Sequence, residues 1–185
     1  TFDPTLPHTQ ARVHLEARPR GDGVSGTFSL INADAGPIDA ERLPIAAISS
    51  RFDFENDVVT LAMIDATLPQ GGGALGSGTV TLGNVRSARF ALEVRELDLA
   101  RVHSKLVTTR LAGKISADAD ASRQVLEGDV RDRDLGLAFR AVVDESEVDV
   151  KSFRATTAGG ALSGSARVAL KGTNAFSVDA TMRNL

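Results

Sequence analysis

Apolar and polar residues alternate along most of this chain, in short runs separated by turn residues. Residues 11–17, for example, read ARVHLEA, with an apolar side chain at every second position. Similar runs recur at residues 26–31, 48–63, 78–82, 90–94, 135–141, 148–150, 166–170 and 176–180. Because successive side chains of a strand point to opposite sides, this period predicts strands with one dry and one wet face. Nothing predicts a long helix or a βαβ crossover, so the strands are expected to pair as antiparallel hairpins.

A glycine-rich stretch occurs twice and relates the two halves of the chain. Residues 71–82 read GGGALGSGTVTL and residues 159–170 read GGALSGSARVAL. Each copy is followed by a strand that begins with phenylalanine, at Phe90 and Phe176.

The same offset of about 87 residues recurs on the upstream side of both copies. It relates residues 24–30 to 111–117 and, with a small slip, residues 52–61 to 141–150. Residues 1–185 are therefore predicted to form a single unit of two degenerate repeats, about 24–99 and about 111–185.

The residue composition favours a thin apolar layer. The 185 residues include no Trp or Tyr and only 8 Phe, whereas 17 Gly are spread through the strand-like runs. Small side chains fill little volume, which suits a single curved sheet better than a tightly filled sandwich. The predicted fold is all-β: an elongated, curled antiparallel sheet, shaped like a taco, whose groove has an apolar interior.

One short segment departs from the alternating pattern. Residues 97–106 read LDLARVHSKL, in which Leu99, Val102 and Leu106 fall near helical spacing. Asp98 is placed to cap the first turn. A short helix is predicted here, as a bridge between the two repeats.

The alternating pattern also selects the residues expected to line the groove. All are large apolar side chains on the dry side of a predicted strand. They are Val13, Leu15, Phe28, Leu30, Phe52, Phe54, Val59, Leu61, Met63, Val80, Leu82, Phe90, Leu92, Val94, Leu137, Phe139, Val148, Val150, Val168, Leu170, Phe176 and Val178. Alternation by itself is equally compatible with a packed sandwich interior.

Charge and cysteine content narrow the function classes. The chain carries 21 basic and 24 acidic residues, interspersed, so no basic stripe points to nucleic acid. The absence of cysteine excludes disulfides, thiol catalysis and thiolate metal sites. No apolar run approaches the roughly 20 residues that cross a bilayer. Because the chain starts at Thr1 without Met, we expect it to be a segment whose anchor lies outside it.

Several local motifs resemble ligand sites but lack the required context. Gly71, Gly73 and Gly76 match a dinucleotide fingerprint, yet they open a strand and not the helix whose N-terminus would hold a pyrophosphate. Asp129, Asp132 and Asp134 are interleaved with arginine and lack the glycine and terminal glutamate of a calcium loop. No cofactor and no metal site are predicted.

The remaining reactive residues do not form a catalytic pattern. His8, His14 and His103 are too far apart for zinc spacing, and residues 20–22, reading RGD, are explained by turn chemistry. Gly76-Ser-Gly78 lies in a repeated turn, without the helix of a nucleophile elbow. We do not expect an enzyme.

The recurring pattern resembles the TamB family within the AsmA-like superfamily of Gram-negative bacteria. The resemblance is carried by residues 73–78 (GALGSG), 90–101 (FALEVRELDLAR), 111–113 (LAG) and 160–164 (GALSG). It covers most of the chain from Val24 onward and identifies a β-groove segment near the C-terminal part of such a protein.

The resemblance implies a location and partners. TamB-like proteins are anchored in the inner membrane and cross the periplasm as a curled sheet with an apolar interior. They are linked to assembly of outer-membrane proteins, with the barrel protein TamA as partner, and to phospholipid movement between the two membranes. Phospholipid acyl chains, a TamA-like barrel and outer-membrane protein clients are therefore the expected partners.

Two functions remain open at this stage. The apolar groove predicts passage of phospholipid, since acyl chains held by apolar contact alone are free to slide. The alternative is an assembly scaffold that binds clients or the outer-membrane partner through an exposed edge strand and carries no lipid. Residues 11–17 and 176–182 are the expected edges. A plain structural spacer is a third possibility.

Overall fold

The chain folds into one open sheet of twelve antiparallel strands, in which each strand pairs with the next along the chain. The computed structural model describes residues 9–171 and 175–184. The predicted all-β, antiparallel fold is confirmed, and the twelve-strand order is consistent with a curled, elongated sheet. His8 and residues 1–7 lie outside the described residues.

The strands are of similar length, eight to eleven residues. They are β1 Ala11–Arg20, β2 Gly23–Asn32, β3 Ala47–Glu55, β4 Val58–Thr67, β5 Gly73–Thr81, β6 Ser87–Leu97, β7 Leu111–Asp120, β8 Arg123–Arg131, β9 Leu135–Asp144, β10 Glu147–Thr157, β11 Gly160–Ala169 and β12 Phe176–Arg183. The extensive strand contacts all join neighbours in chain order. The described residues therefore include no second sheet packed on the first, as a sandwich would require.

Two connections are longer than a turn. Residues 33–46 join β2 to β3 and include a single 3₁₀ turn, Ile38–Ala40. Residues 98–110 join β6 to β7 and include helix α1, Leu99–Val102. Asp98 caps α1 as predicted, accepting a hydrogen bond from Ala100 N at 3.0 Å, but the helix ends at the extended residue His103 and is shorter than the predicted 97–106.

Bulges interrupt the regular ladder inside three strands. The register shifts between Leu61 and Ile64 in β4, between Val94 and Leu97 in β6, and between Val150 and Phe153 in β10. A bulge adds a residue to one strand, bends it and increases its twist. The bulges therefore bend the strands along their own length, which is the direction in which a taco-shaped sheet curves.

Two structural details recur in the two halves of the sheet. The bulges of β4 and β10 each follow the second member of an alternating apolar pair, Val59 and Leu61 in β4 and Val148 and Val150 in β10. Leu82 N donates to Asp57 O, and Leu170 N donates to Ser146 O, both at 2.8 Å. The predicted repeat remains a prediction. Its upstream match of residues 24–30 with 111–117 compares β2 with β7, five strands apart, whereas the other matched segments are six apart.

The turns after β7 and β9 are closed by the same aspartate chemistry. Asp144 accepts hydrogen bonds from the hydroxyl and N–H of Ser146, both at 2.7 Å, and from Glu147 N at 3.0 Å. Asp120 accepts the equivalent three bonds from Ser122 and Arg123. In each turn the serine hydroxyl, followed by the backbone N–H groups, lowers the pKa of the aspartate below its ordinary value.

These turns predict an acid-sensitive part of the stability. A lowered pKa in the folded state stabilises the protein above the ordinary aspartate value of 3.8, and this contribution is lost as the pH falls through the lowered pKa. The double variant Asp120→Asn/Asp144→Asn should therefore show a smaller loss of unfolding free energy between pH 6 and pH 3 than the wild type. Urea unfolding at each pH measures the difference, and equal losses in the two proteins would contradict it.

Candidate functional site: an uncharged sheet face

The hydrogen-bond register assigns the directly paired strand residues to one of two faces. Directly paired residues of antiparallel strands point to the same side of the sheet. Val13 pairs with Leu30 at one edge, and Val168 pairs with Phe176 at the other. Following the pairs from β1 to β12 defines one side, called here the apolar face, and the opposite side, called the polar face.

Most of the predicted groove residues lie on the apolar face within strands. They are Val13, Leu15, Phe28, Leu30, Phe52, Phe54, Val59, Leu61, Val80, Phe90, Leu92, Val94, Leu137, Phe139, Val148, Val150, Val168, Phe176 and Val178. They come from ten different strands. Alternation within each strand predicted which residues share a side. The register between strands decides that these sides coincide across the sheet and which residues become neighbours.

Three predicted positions differ from this arrangement. Met63 is the additional residue of the β4 bulge, with φ +56° and a residue exposure of 65%. The bulge shifts the alternation by one, so Ile64 and not Met63 takes the next position on the apolar face. Leu82 and Leu170 lie just beyond the ends of β5 and β11, in the turns, and are about half exposed.

The apolar face also contains large residues that the prediction did not include. Among them are Ile48, Ile64, Leu97, Leu111, Ile115, Leu126, Val130, Phe153, Leu162 and Met182. Alternation within β7 and β8 contained the signal for Leu111, Ile115, Leu126 and Val130. Ile64, Leu97 and Phe153 follow bulges, where counting by twos from the strand start fails.

Among the strand residues that have a register partner, no aspartate, glutamate, lysine or arginine lies on the apolar face. Its polar side chains within the strands are Asn32, Ser50, Gln124 and Thr157. Ser50 is 4% exposed, and its hydroxyl donates to Ala62 O at 3.0 Å, beside the β4 bulge. The buried hydroxyl thus has backbone carbonyl partners where the ladder is irregular.

Three phenylalanine rings of the apolar face lie against glycine on the neighbouring strand. Phe52 pairs with Gly26, Phe90 with Gly78 and Phe139 with Gly128. A methyl group built on Gly128 would lie 2.7 Å from Cζ of Phe139, and one on Gly78 would lie 2.7 Å from Cε1 of Phe90. The rings therefore occupy the space that a side chain would take.

This pairing lowers the height of the apolar layer. A ring that reclines over a glycine covers the neighbouring strand instead of standing away from the sheet. The rings consequently shield backbone from water while leaving room above them. At these three positions a glycine is needed within a strand because a phenylalanine ring of the next strand takes the space of its side chain.

Helix α1 covers one part of the apolar face. Val94, Leu111 and Val130 are 3%, 0% and 2% exposed, and Leu99 of α1 packs against this group. Away from α1 the face is more open, and Phe176 at the β12 edge is 77% exposed. The most buried side chains among the described residues thus lie where a connecting segment folds over the sheet.

Charges gather on the polar face, where many pair across strands. Arg89 contacts Asp118 at 2.5 Å between β6 and β7, and Arg140 contacts Glu127 between β8 and β9. Asp149 is 6% exposed, and it accepts hydrogen bonds from Lys151 at 2.6 Å and Arg167 at 3.1 Å. The ammonium of Lys151, followed by the guanidinium of Arg167, lowers the pKa of Asp149. The exposed pairs contribute little stability each, and the strand register is what puts their charges on this side.

A broad depression of about 900 Å³ also lies on the polar face. The side chains that line it include Leu75, Glu93, Lys114, Glu127, Arg140 and Arg154. Because acidic and basic groups alternate around it, the depression presents no single charge to a ligand. Most of its lining residues belong to the polar face, but the lining also includes Leu92, Ile115, Phe139 and Phe153 from the apolar face.

The motifs considered for chemistry occupy ordinary positions. Gly71 and Gly72 form a turn with φ +107° and +78°, and Gly73 begins β5, so the glycines lead into a strand as predicted. His14 lies on β1 beside Glu16, and His103 lies after α1, 3.7 Å from Asp39. Within residues 9–171 and 175–184, no three His, Cys, Asp or Glu side chains converge as a metal site would require.

Comparison with known proteins identified no relative. No family model matches the chain, and neither curated proteins nor solved structures gave a match. In the described part of the chain, no helix has the length and apolarity needed to cross a bilayer.

The contact between Gly128 and Phe139 can be tested by adding one methyl group. Gly128→Ala should displace the ring and lower the free energy of unfolding by about 1–3 kcal/mol. The matched control is Gly159→Ala, because nothing lies within 4 Å of a methyl group built there. The control should change stability by less than about 0.5 kcal/mol. Equal effects in urea unfolding would contradict the ring contact, and combining Gly128→Ala with Phe139→Leu should recover part of the loss.

Proposed function

We propose that this chain is a periplasmic segment whose apolar face forms a groove for phospholipid acyl chains passing between the inner and outer membranes. The observation that carries the proposal is the uncharged face, continuous across all twelve strands. A monomeric soluble protein rarely leaves so long an apolar surface without a partner, so the face needs an occupant.

An acyl chain has the chemistry that this face can hold. It is apolar along its length and needs no hydrogen-bond donor or acceptor. At roughly 25 cal/mol per Å² of apolar surface removed from water, even partial enclosure contributes several kcal/mol. Reclining rings such as Phe90 and Phe139 leave room for a chain above the sheet.

The distribution of charge favours movement over fixed binding. A headgroup held by a charge cluster would stop a lipid at one place, and no ionised strand residue with a register partner lies on the apolar face. Headgroups would remain in water at the rims while the acyl chains move along the face. This arrangement provides passage but no energy source for direction.

The resemblance to TamB-like proteins supplies the wider setting of the proposal. From it we infer a location in the periplasm, within a protein anchored in the inner membrane of a Gram-negative bacterium. It also proposes a TamA-like outer-membrane barrel and outer-membrane protein clients as partners. The location and the partners are inferred from the motifs around Gly73, Phe90 and Gly160.

A pair of adjacent substitutions tests the lipid proposal. Ala117 lies on the apolar face of β7 and Ser116 lies next to it on the polar face, and both are partly buried. Ala117→Asp should weaken binding of a fluorescent fatty acid by at least about tenfold, because acyl contact would bury an unpaired carboxylate. Ser116→Asp introduces the same charge and should leave binding within about twofold.

Circular dichroism and urea unfolding of both variants separate loss of binding from loss of fold. If Ala117→Asp remains folded and binds the fatty acid as the wild type does, the groove proposal fails. Absence of binding to the wild-type chain would also contradict it.

A second function is suggested by the two edge strands of the sheet that residues 9–171 and 175–184 form. All residues of β1 and β12 are exposed, and Val13, Leu15 and Phe176 are 63%, 62% and 77% exposed. Unpaired edge strands can accept a strand from another protein. A scaffold of this kind would bind clients or the outer-membrane barrel without carrying lipid.

Photo-crosslinking in cells distinguishes the two functions. A photoreactive residue at Phe54, Leu92 or Phe139 on the apolar face should attach to phospholipid, whereas Asp53 and Thr81 on the polar face serve as controls. Lipid adducts restricted to the apolar positions support the groove. Adducts to protein alone, concentrated at β1 or β12, would favour the scaffold.

A further inference from the structure

The segment after β6 folds back onto the apolar face. Leu99 of α1 packs with Val94, Leu111 and Val130, which belong to β6, β7 and β8. These three side chains are almost completely buried, although the sheet has no second layer in the described residues. Leu99 therefore occupies part of the face that would otherwise be open to a ligand.

A small polar network shapes this segment. Thr109 is 6% exposed; its hydroxyl accepts from Leu99 N at 3.0 Å and donates to Leu97 O at 2.9 Å. Asp98 accepts from Ala100 N at 3.0 Å and from Thr109 N at 3.1 Å. The two ends of the segment are thereby held together at the end of the sheet, and Leu99 is directed onto the face.

The loop between β2 and β3, residues 33–46, contacts the segment after β6. The buried side chain of Asn32, the last residue of β2, bonds to residues of the 33–46 loop: it donates to Ile45 O at 3.0 Å and accepts from Asp34 N at 3.1 Å. These bonds shape the loop that carries Asp39 in its 3₁₀ turn. Asp39 accepts from Ser104 N at 2.8 Å and from the Ser104 hydroxyl.

This contact joins loops that are distant along the sheet. Residues 33–46 connect β2 to β3, and residues 98–110 connect β6 to β7, at the same end of the strands. The spacing from β3 to β6 corresponds to roughly 14 Å at the usual distance between strands. Two bonds to one carboxylate therefore link loops on either side of four strands.

We propose that residues 98–110 form a flap over the acyl-binding face, and that Asp39 and Ser104 form the latch that keeps it closed. The inference deepens the proposed function, because it assigns control of access to the same face. Closed, the flap places Leu99 on the strip formed by Val94, Leu111 and Val130. Opening it frees this strip for an acyl chain, so ligand and Leu99 compete for one surface.

The latch can be tested without any lipid, since the chain contains no cysteine. Val130→Cys places a single thiol under Leu99, and Ala141→Cys places one on the same face away from α1, at a position where the alanine is 7% exposed. Each is combined with Asp39→Ala, which removes both bonds to Ser104. Maleimide labelling of the Val130→Cys thiol should become about tenfold faster, the equivalent of about 1.4 kcal/mol of lost closure. Labelling of the Ala141→Cys thiol should not change.

A matched substitution controls for loss of an aspartate. Asp118→Ala removes an exposed carboxylate bonded to Arg89 on the polar face, and it should leave labelling of the Val130→Cys thiol unchanged. If Asp39→Ala also leaves that labelling rate unchanged, the latch is overturned. Equal acceleration of the Val130→Cys and Ala141→Cys thiols would also overturn it, because it would indicate general loosening.

Fatty-acid binding to Asp39→Ala gives an independent readout. Tighter binding than to the wild type is expected if flap and ligand compete, and unchanged binding alongside faster labelling would overturn the competition. Failure of the wild-type chain to bind fatty acid would reject the proposed function, while the labelling rates would still decide whether the flap is latched.

Discussion

The structure depends on cross-strand pairing that keeps apolar side chains opposite apolar side chains across eleven consecutive antiparallel pairs. A shift of one residue in any pair would move a strand's whole apolar set to the other side. No shift of this kind separates Val13 at one edge from Phe176 at the other. The uncharged face follows from that unbroken register, and so does the collection of ion pairs on the opposite side.

Bulges and glycines let this register persist in a bent sheet. A bulge places two residues opposite one, so the strand can bend and then resume the same alternation, as at Leu61 and Ile64. Glycines such as Gly78 and Gly128 accept a ring from the next strand. The ring contacts keep the apolar layer thin, which distinguishes this sheet from half of a tightly packed sandwich and supports its proposed role as a groove.

The connections give the two ends of the strands different characters. At one end the turns are short and closed by aspartates such as Asp120 and Asp144. At the other end two longer loops meet through Asp39 and Ser104, and one of them covers the apolar face. Access to the face is therefore least restricted away from α1. In the proposed function, the end with the short turns is fixed, and the flap of residues 98–110 can open at the other end.

The sequence by itself determined the all-β class, the antiparallel pairing and the side on which most strand residues lie, because a period of two is a local property of extended backbone. It also indicated the cap at Asp98. Tertiary structure decided what local periodicity does not contain. The β4 bulge moved Met63 out of the alternating series and put Ile64 in its place, and the fold-back of Leu99 selected Val94, Leu111 and Val130 as the most buried residues. The bond between Asp39 and Ser104 joins residues 65 positions apart, and only the assembled sheet brings them into contact.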